Sequence, residues 1–414
     1  MILKKLTIAS LLISATAFGA SIDHVQNYTA EYGANPAQQG AINYGTTVNF
    51  NPAGLMRLEN GTYFTGGLQY AFGDQSMTQN GKEFDSDLSS PIPNFAVYKK
   101  TDDGALFWTF GAVAGGASLE YKNSIPLPAG MNGMLDGTNI KGSNQYAQTT
   151  IGKAWNVNEK LSMSLGLRAV YGLRTLEANT TTNTNFPILG AGKKASIDSE
   201  RTAFGVGVQL GLNYTANDRL NIGFRYDSRV KLDFKTDATI NDDTLVLGED
   251  YSISGGLLGI YPVYADGLKT RRDLPALMAL GASYKVTDDW TAFIGGNYYF
   301  NKDAKMDRVG TNPGRYAYDN GWEISLGSEY KLNDKVSWLA GINYADTGAK
   351  ETTYAATEYS IGSIMLGTGF KIKQDENTEW TIGYSHYFYD STTFNGIKYE
   401  KDIRSIGFNF VKKF

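Results

Sequence analysis

Leu161-Ser162-Met163-Ser164-Leu165-Gly166-Leu167-Arg168-Ala169-Val170-Tyr171-Gly172-Leu173 alternates with a period of two. Leu, Met, Ala and Tyr fill the odd positions, and Ser, Gly and Arg most of the even ones. A period of two is the signature of a strand whose two faces meet different surroundings. The pattern returns at Phe204, Val206, Val208, Leu210, Leu212 and Tyr214, set against Gly205, Gly207, Gln209, Gly211 and Asn213. It appears again at Trp380, Ile382, Tyr384, His386 and Phe388, and at Ile406, Phe408 and Phe410. A water-soluble sandwich would also alternate. The polar set decides between them: glycine, serine, asparagine, glutamine and arginine cannot build a dry core, but they can line a partly polar lumen. Such strands face lipid outward and a lumen inward, as in a transmembrane β-barrel.

Working outward, the same reading gives strands at 61–72, 92–100, 105–121, 145–155, 160–176, 201–214, 219–236, 272–285, 289–300, 320–331, 335–345, 359–373, 378–389 and 403–414. That is fourteen, an even number. Short gaps rich in Asp, Asn and Gly, such as Thr101-Asp102-Asp103-Gly104 and Leu332-Asn333-Asp334, alternate with long ones such as 122–144, 177–200 and 237–271. Tight turns need those residues, and outer-membrane barrels carry short turns at the periplasmic end and long loops at the outer end. The fold class expected is all-β, a 14-stranded antiparallel transmembrane barrel over residues 61–414, ending on Phe414.

Residues 1–20 read as an export signal, with Lys4 and Lys5 ahead of the apolar run Leu6 to Ala17 and a small-residue exit at Ala17-Phe18-Gly19-Ala20. About a dozen apolar residues are too few to anchor a helix in a bilayer. With net charge −4 and no basic block, nothing points to nucleic acid. The chain has no cysteine and two histidines, His24 and His386, the latter on the outward face. Neither a metal site, a cofactor nor a Ser/His hydrolase is expected from such a set. Gly205-Val206-Gly207 lies inside a strand with no following helix, so it is no nucleotide-binding loop.

Residues 21–60 do not alternate. They hold Ala34-Asn35-Pro36-Ala37-Gln38-Gln39-Gly40-Ala41 and then Asn49-Phe50-Asn51-Pro52-Ala53-Gly54-Leu55 just before the first strand. Together with Pro91-Ile92-Pro93-Asn94-Phe95-Ala96-Val97-Tyr98-Lys99 and Asp273-Leu274-Pro275-Ala276, this arrangement resembles the FadL-type outer-membrane long-chain fatty acid and hydrophobic compound transporters. The resemblance spans essentially the whole chain. It implies that residues 21–60 form a hatch inside the barrel, with Asn51, Pro52 and Ala53 matching its motif; an ordinary turn capping the first strand is the alternative. It also implies a passive monomeric transporter in the outer membrane of a Gram-negative cell, in contact with its lipid and lipopolysaccharide. A non-specific porin or a surface adhesin of the same architecture is the competing reading.

Apolar loop residues, including Phe186, Leu257, Leu258 and Tyr261, suit an outer groove that captures a greasy ligand, or a lid packed on itself. By parity Arg168, Arg174 and Arg225 point inward. A lumenal arginine can hold a fatty acid carboxylate through paired hydrogen bonds, or it can pair with acids of the hatch and wall. Gly111, Gly115 and Gly116 interrupt the third strand, where glycine marks a bulge or a small inward contact. The family opens its wall sideways at a kinked third strand, which makes this cluster the candidate lateral gate.

Overall fold

The computed structural model describes residues 29–38, 44–122, 124–126, 133–185, 190–243, 266–306, 318–354, 356 and 358–414. The export signal, Phe186, Leu257, Leu258 and Tyr261 lie outside these described residues. The chain forms a closed antiparallel barrel of fourteen strands around an N-terminal plug. The strands are β1 Gly61–Gln79, β2 Lys82–Thr101, β3 Gly104–Tyr121, β4 Leu135–Asn156, β5 Leu161–Thr182 and β6 Lys194–Thr215. β7 runs in two pieces, Leu220–Asp227 and Asp233–Asp242, and so does β8, Lys269–Arg271 and Leu277–Lys285. β9 Trp290–Tyr299, β10 Gly321–Lys331, β11 Val336–Asp346, β12 Ser363–Asp375, β13 Thr378–Tyr389 and β14 Ile397–Lys413 complete the wall. β14 pairs back onto β1 from Tyr63↔Lys413 to Gln79↔Ile397, which closes the sheet and leaves no free end to it.

The alternation sorts side chains as expected. Leu165, Leu167, Phe204, Val206, Ile324 and Leu326 are among the most exposed apolar residues, while Ser162, Ser164, Arg168, Gln209 and Asn213 are buried. Trp108, Trp290 and Trp338 each donate an indole N–H to a hydroxyl one strand over, on Thr149, Ser328 and Thr368, at 2.8–2.9 Å. All three lie toward the short-turn end, where such amphipathic rings anchor a barrel at the interface. The short turns share one device. Asn158, Asn217 and Asn333 each accept the backbone N–H groups two and three residues on, the local bond that makes Asn a turn residue.

Several strand limits differ from those read in the sequence. The expected long loop between 72 and 92 is strand almost throughout, joined by a tight turn at Asn80 and Gly81, both at positive φ. β4, β5 and β6 likewise extend into the expected loops 122–144 and 177–200. Beyond the membrane the outward face of a strand no longer meets lipid, so the outward apolar stripe lapses while backbone pairing continues: Asp74 pairs in register with Asp87 and with Asp402. The strand expected over 219–236 is broken at 228–232. There the chain bends inward, with Val230 and Leu232 buried. Gly205 admits the bend, since a Cβ there would stand 2.3 Å from the Lys231 carbonyl. The strand expected over 272–285 is broken ahead of Leu277 at Pro275, which has no N–H to donate.

The plug is a short helix α1 (Ala30–Ala34) followed by 3-10 turns Pro36–Gln38, Gly45–Asn49 and Pro52–Arg57. Thr29 caps α1 through its hydroxyl, which accepts from the Tyr32 N–H at 3.4 Å. The inner-face glycines read as lining a wet lumen instead receive this segment. A Cβ at Gly383 would lie 2.1 Å from the Ala30 carbonyl oxygen, and one at Gly367 2.3 Å from that of Gly33. At Gly327 it is the Asn35 side-chain amide that fills the space. The missing side chains at Gly367 and Gly383 let plug backbone lie directly on the wall.

Candidate functional site

Asn51 opens the last plug turn. Its side-chain oxygen accepts from the Ala53 N–H at 3.2 Å, and its amide donates to the Leu212 carbonyl of β6 at 2.8 Å. Pro52 occupies the first position of the turn, where a missing N–H costs nothing. The Ser162 hydroxyl of β5 donates to the Ala53 carbonyl at 2.8 Å. Asn51 and Ala53 thus bond to β6 and β5.

A charged layer sits beside it. Arg225 donates to the carbonyls of Phe50 at 2.6 Å and Asn49 at 3.2 Å. Its guanidinium lies 3.4 Å from Asp227, and that of Arg168 lies 3.7 Å from the same carboxylate. Arg168 also donates to Gln148 at 2.7 and 2.9 Å and to the Ser228 carbonyl at 3.1 Å. Arg225 thus joins plug to wall, while Arg168 joins one wall residue to another. Asp227 shares the inward parity of Arg225, so the strand pattern could have located it.

Above this layer the lumen is apolar. Val113, Tyr146, Val170, Leu232, Phe234 and Leu274 form one buried cluster. Gly172 makes room for it, because a Cβ there would meet the rings of Phe234 and Tyr146 at 2.8 and 3.0 Å. A second apolar cluster runs from Tyr32 and Phe50 of the plug, through Phe84, Leu88 and Ile92, to Tyr359 and Tyr399. Two positions outward from Gly172, Arg174 reaches across the lumen to Glu358 at 2.7 Å, and Arg272 pairs with the other oxygen of the same carboxylate. Sequence reasoning proposed Arg174 but not Arg272 or Glu358. Glu358 lies 184 positions from Arg174 in a connecting segment with no periodicity to place it.

The wall parts between β2 and β3. Their pairing runs from Thr101↔Gly104 to Asn94↔Gly111 and stops. Beyond that, β2 continues its ladder with β1 and β3 with β4, and the two strands meet again at the outer end, where the Glu120 N–H donates to the Ser86 hydroxyl at 2.8 Å. Two features of the strands hold them apart. Pro91 and Pro93 give β2 no N–H at two positions. β3 shifts register against β4 at Ala112/Ala114 and again at Gly116/Leu119, with Gly115 between them at φ +118. A Cβ on Gly115 would stand 2.4 Å from the Asn144 carbonyl, so only glycine fits this bulge. Plug residues Val48 and Asn49 meet Asn94 and Gly111 in a small pocket at the foot of the parting.

At the short-turn end a cavity of about 410 Å³ opens below Tyr44 of the plug, lined by Arg57, Arg219, Lys371, Glu329 and Glu379 among others. Lys371 pairs with Glu329 at 2.6 Å and lies 3.6 Å over the Tyr44 ring. In the plug itself, burial pushes the Glu31 carboxyl above its ordinary value, against hydrogen bonds from Thr29 and Thr381 that hold it down. Among the described residues no group of His, Cys, Asp and Glu is arranged to hold a metal ion.

The family described as outer membrane protein transport protein (OMPP1/FadL/TodX) matches residues 8–410. The outer membrane protein P1 of Haemophilus influenzae is 24% identical, over 98% of this chain and 94% of its own. A putative outer membrane protein of Neisseria meningitidis is 22% identical, over 94% and 91%. Among solved structures, the toluene transporter TodX of Pseudomonas putida superposes with a TM-score of 0.71 at 17% identity, covering 93% of this chain and 99% of that one. A Pseudomonas aeruginosa FadL homologue gives 0.70 at 15% identity, covering 97% and 100%. At these identities the solved structures speak to the fold.

Proposed function

Since the chain belongs to the OMPP1/FadL/TodX family of outer membrane transport proteins, we infer that it is a passive carrier of hydrophobic compounds, long-chain fatty acids foremost, across the outer membrane. The observation that carries this reading is the coincidence of a plugged barrel with a wall that parts between β2 and β3 next to an apolar lumen. A ligand is captured by Phe186, Leu257, Leu258 and Tyr261 and moves into the apolar layer with its head group toward Arg174. It leaves sideways past Gly111, Gly115 and Gly116 into the bilayer. Residues 21–60 act as the hatch; Arg225 acts mainly by holding it, and Arg168 by fixing the Asp227 carboxylate beside it. The protein works as a monomer surrounded by outer-membrane lipid and lipopolysaccharide.

A general porin needs a water-filled bore, and contacts such as Arg225–Phe50 across the lumen speak against one. The family is one of transport proteins, not enzymes. The test is a binding panel of fatty acids and aromatic hydrocarbons on refolded full-length protein, beside planar-bilayer conductance. Saturable binding with a nearly silent bilayer is expected. Free passage of small ions with no ligand binding would overturn the reading.

A further inference from the structure

Glu358 and Tyr359 present to the lumen what an amphiphilic acid would present. The carboxylate spans two guanidinium groups, one to each oxygen: Arg174 Nη2 on Oε2 at 2.7 Å and Arg272 Nη2 on Oε1. Beside it the Tyr359 ring is buried, 5.0 Å from the Tyr399 ring, within the apolar cluster that holds Met77, Leu119 and Met365. Its hydroxyl lies 3.1 and 2.8 Å from the carbonyls of Ser76 and Glu400. The two residues come from the connection between β11 and β12, while the arginines stand on β5 and between the pieces of β8. A carboxylate in this position gains charge-assisted bonds whatever molecule bears it.

We propose that the Arg174–Arg272 pair is a carboxylate-binding site which the chain fills with its own Glu358, so that Glu358 and Tyr359 act as an internal surrogate ligand displaced by an incoming amphiphilic acid. The proposal rests on the transport reading and narrows it to ligands that carry an anionic head. Exposure supports the exchange. The Glu358 side chain is 27% exposed, while those of Arg174 and Arg272 are 9% and 7%. The surrogate is thus the part that can leave, and the guanidinium groups are held in place for the next carboxylate. Departure of Glu358 carries Tyr359 with it and clears the aromatic cluster for an acyl chain. An uncharged hydrocarbon offers nothing to the two arginines and has no such leverage on the surrogate.

Self-occupancy lowers apparent affinity by the fraction of protein in the open form. Palmitate and 1-hexadecanol, which share a chain and differ in the head group, are the probes on full-length protein in detergent. Glu358→Gln is expected to tighten palmitate binding by about tenfold. Because the chain has no cysteine, Ser360→Cys gives a single label site in the same segment. Its maleimide labelling should quicken on adding palmitate and not on adding hexadecanol. Equal affinities in the parent and Glu358→Gln proteins, or labelling indifferent to palmitate, overturn the surrogate while hexadecanol binding still stands for transport. Failure of both probes to bind the parent protein overturns the transport reading, and the surrogate with it.

Discussion

Arg225 of β7 donates its guanidinium to the Phe50 carbonyl at 2.6 Å, a bond between barrel wall and plug across 175 positions of sequence. With the Asn49 carbonyl and Asp227 it forms the charged seam that seats the plug. Replacing Arg225 with Met leaves two plug carbonyls and part of a carboxylate buried without their donor. Breaking a buried charged contact costs about 3 kcal/mol, so the plug should loosen. Planar-bilayer recordings should show frequent openings in Arg225→Met where the parent is quiet. Unchanged silence would mean that the seam does not hold the plug.

At Gly383 α1 lies against the wall, with the Ala30 carbonyl 2.1 Å from the place of a Cβ. Ala at this position cannot coexist with the docked helix. The substitution should raise conductance and expose the N-terminal segment to protease, while the closed barrel keeps its heat-modifiable migration. A protected segment in Gly383→Ala would argue against backbone contact there.

Gly115 holds the β3 bulge at φ +118. Alanine is strained in that conformation by about 1–3 kcal/mol and overlaps the Asn144 carbonyl. Gly115→Ala should draw β3 toward regular pairing and lower transfer of labelled fatty acid into the bilayer several-fold, with ligand binding to detergent-solubilised protein maintained. Equal loss of binding and transfer would place Gly115 in the binding site instead of at the outlet.

The buried carboxyl of Glu31 makes docking of the plug depend on pH. Burial raises its affinity for a proton in the docked state, and Glu379 adds to that effect. The docked form therefore holds the proton more tightly than the released one. Docking is strongest below the ordinary Glu range and weakens as pH rises through that range toward the elevated value. Conductance should increase over that window in the parent protein and stay flat in Glu31→Gln. A parent with flat conductance, or a rise on acidification, contradicts the assignment.

The lipid-facing half of the fold was legible because membrane strands obey a strict period of two: Leu165 and Phe204 had to face out once Arg168 and Gly205 faced in. The outer extensions were not, since residues such as Asp74, Asp85 and Asp87 give the outward face no apolar stripe and the ladder reveals the strand. The Asn51-Pro52-Ala53 turn could be read from local chemistry. The placing of the plug could not, because it depends on absent side chains at Gly367 and Gly383, and an absent side chain looks the same whether water or backbone fills its place. Parity aimed Arg168, Arg174 and Arg225 correctly inward. Two of their partners, the Phe50 carbonyl and Glu358, come from plug and connecting segments that no period along a strand encodes, whereas Asp227 shares the parity of Arg225.

The central claim is that ligand leaves sideways where β2 and β3 part above Asn94 and Gly111. Ile92 and Val113 are the next inward positions on the two strands, both buried. With no native cysteine to interfere, Ile92→Cys and Val113→Cys can be joined by a short bis-maleimide in the folded protein. Transfer of a fluorescent fatty acid from the outer side into the surrounding bilayer is then measured before and after bridging. The account predicts that bridging stops transfer while ligand still binds, and that either single variant treated alike keeps transferring. Transfer at the parent rate through the bridged protein would contradict it and point to an exit past the plug.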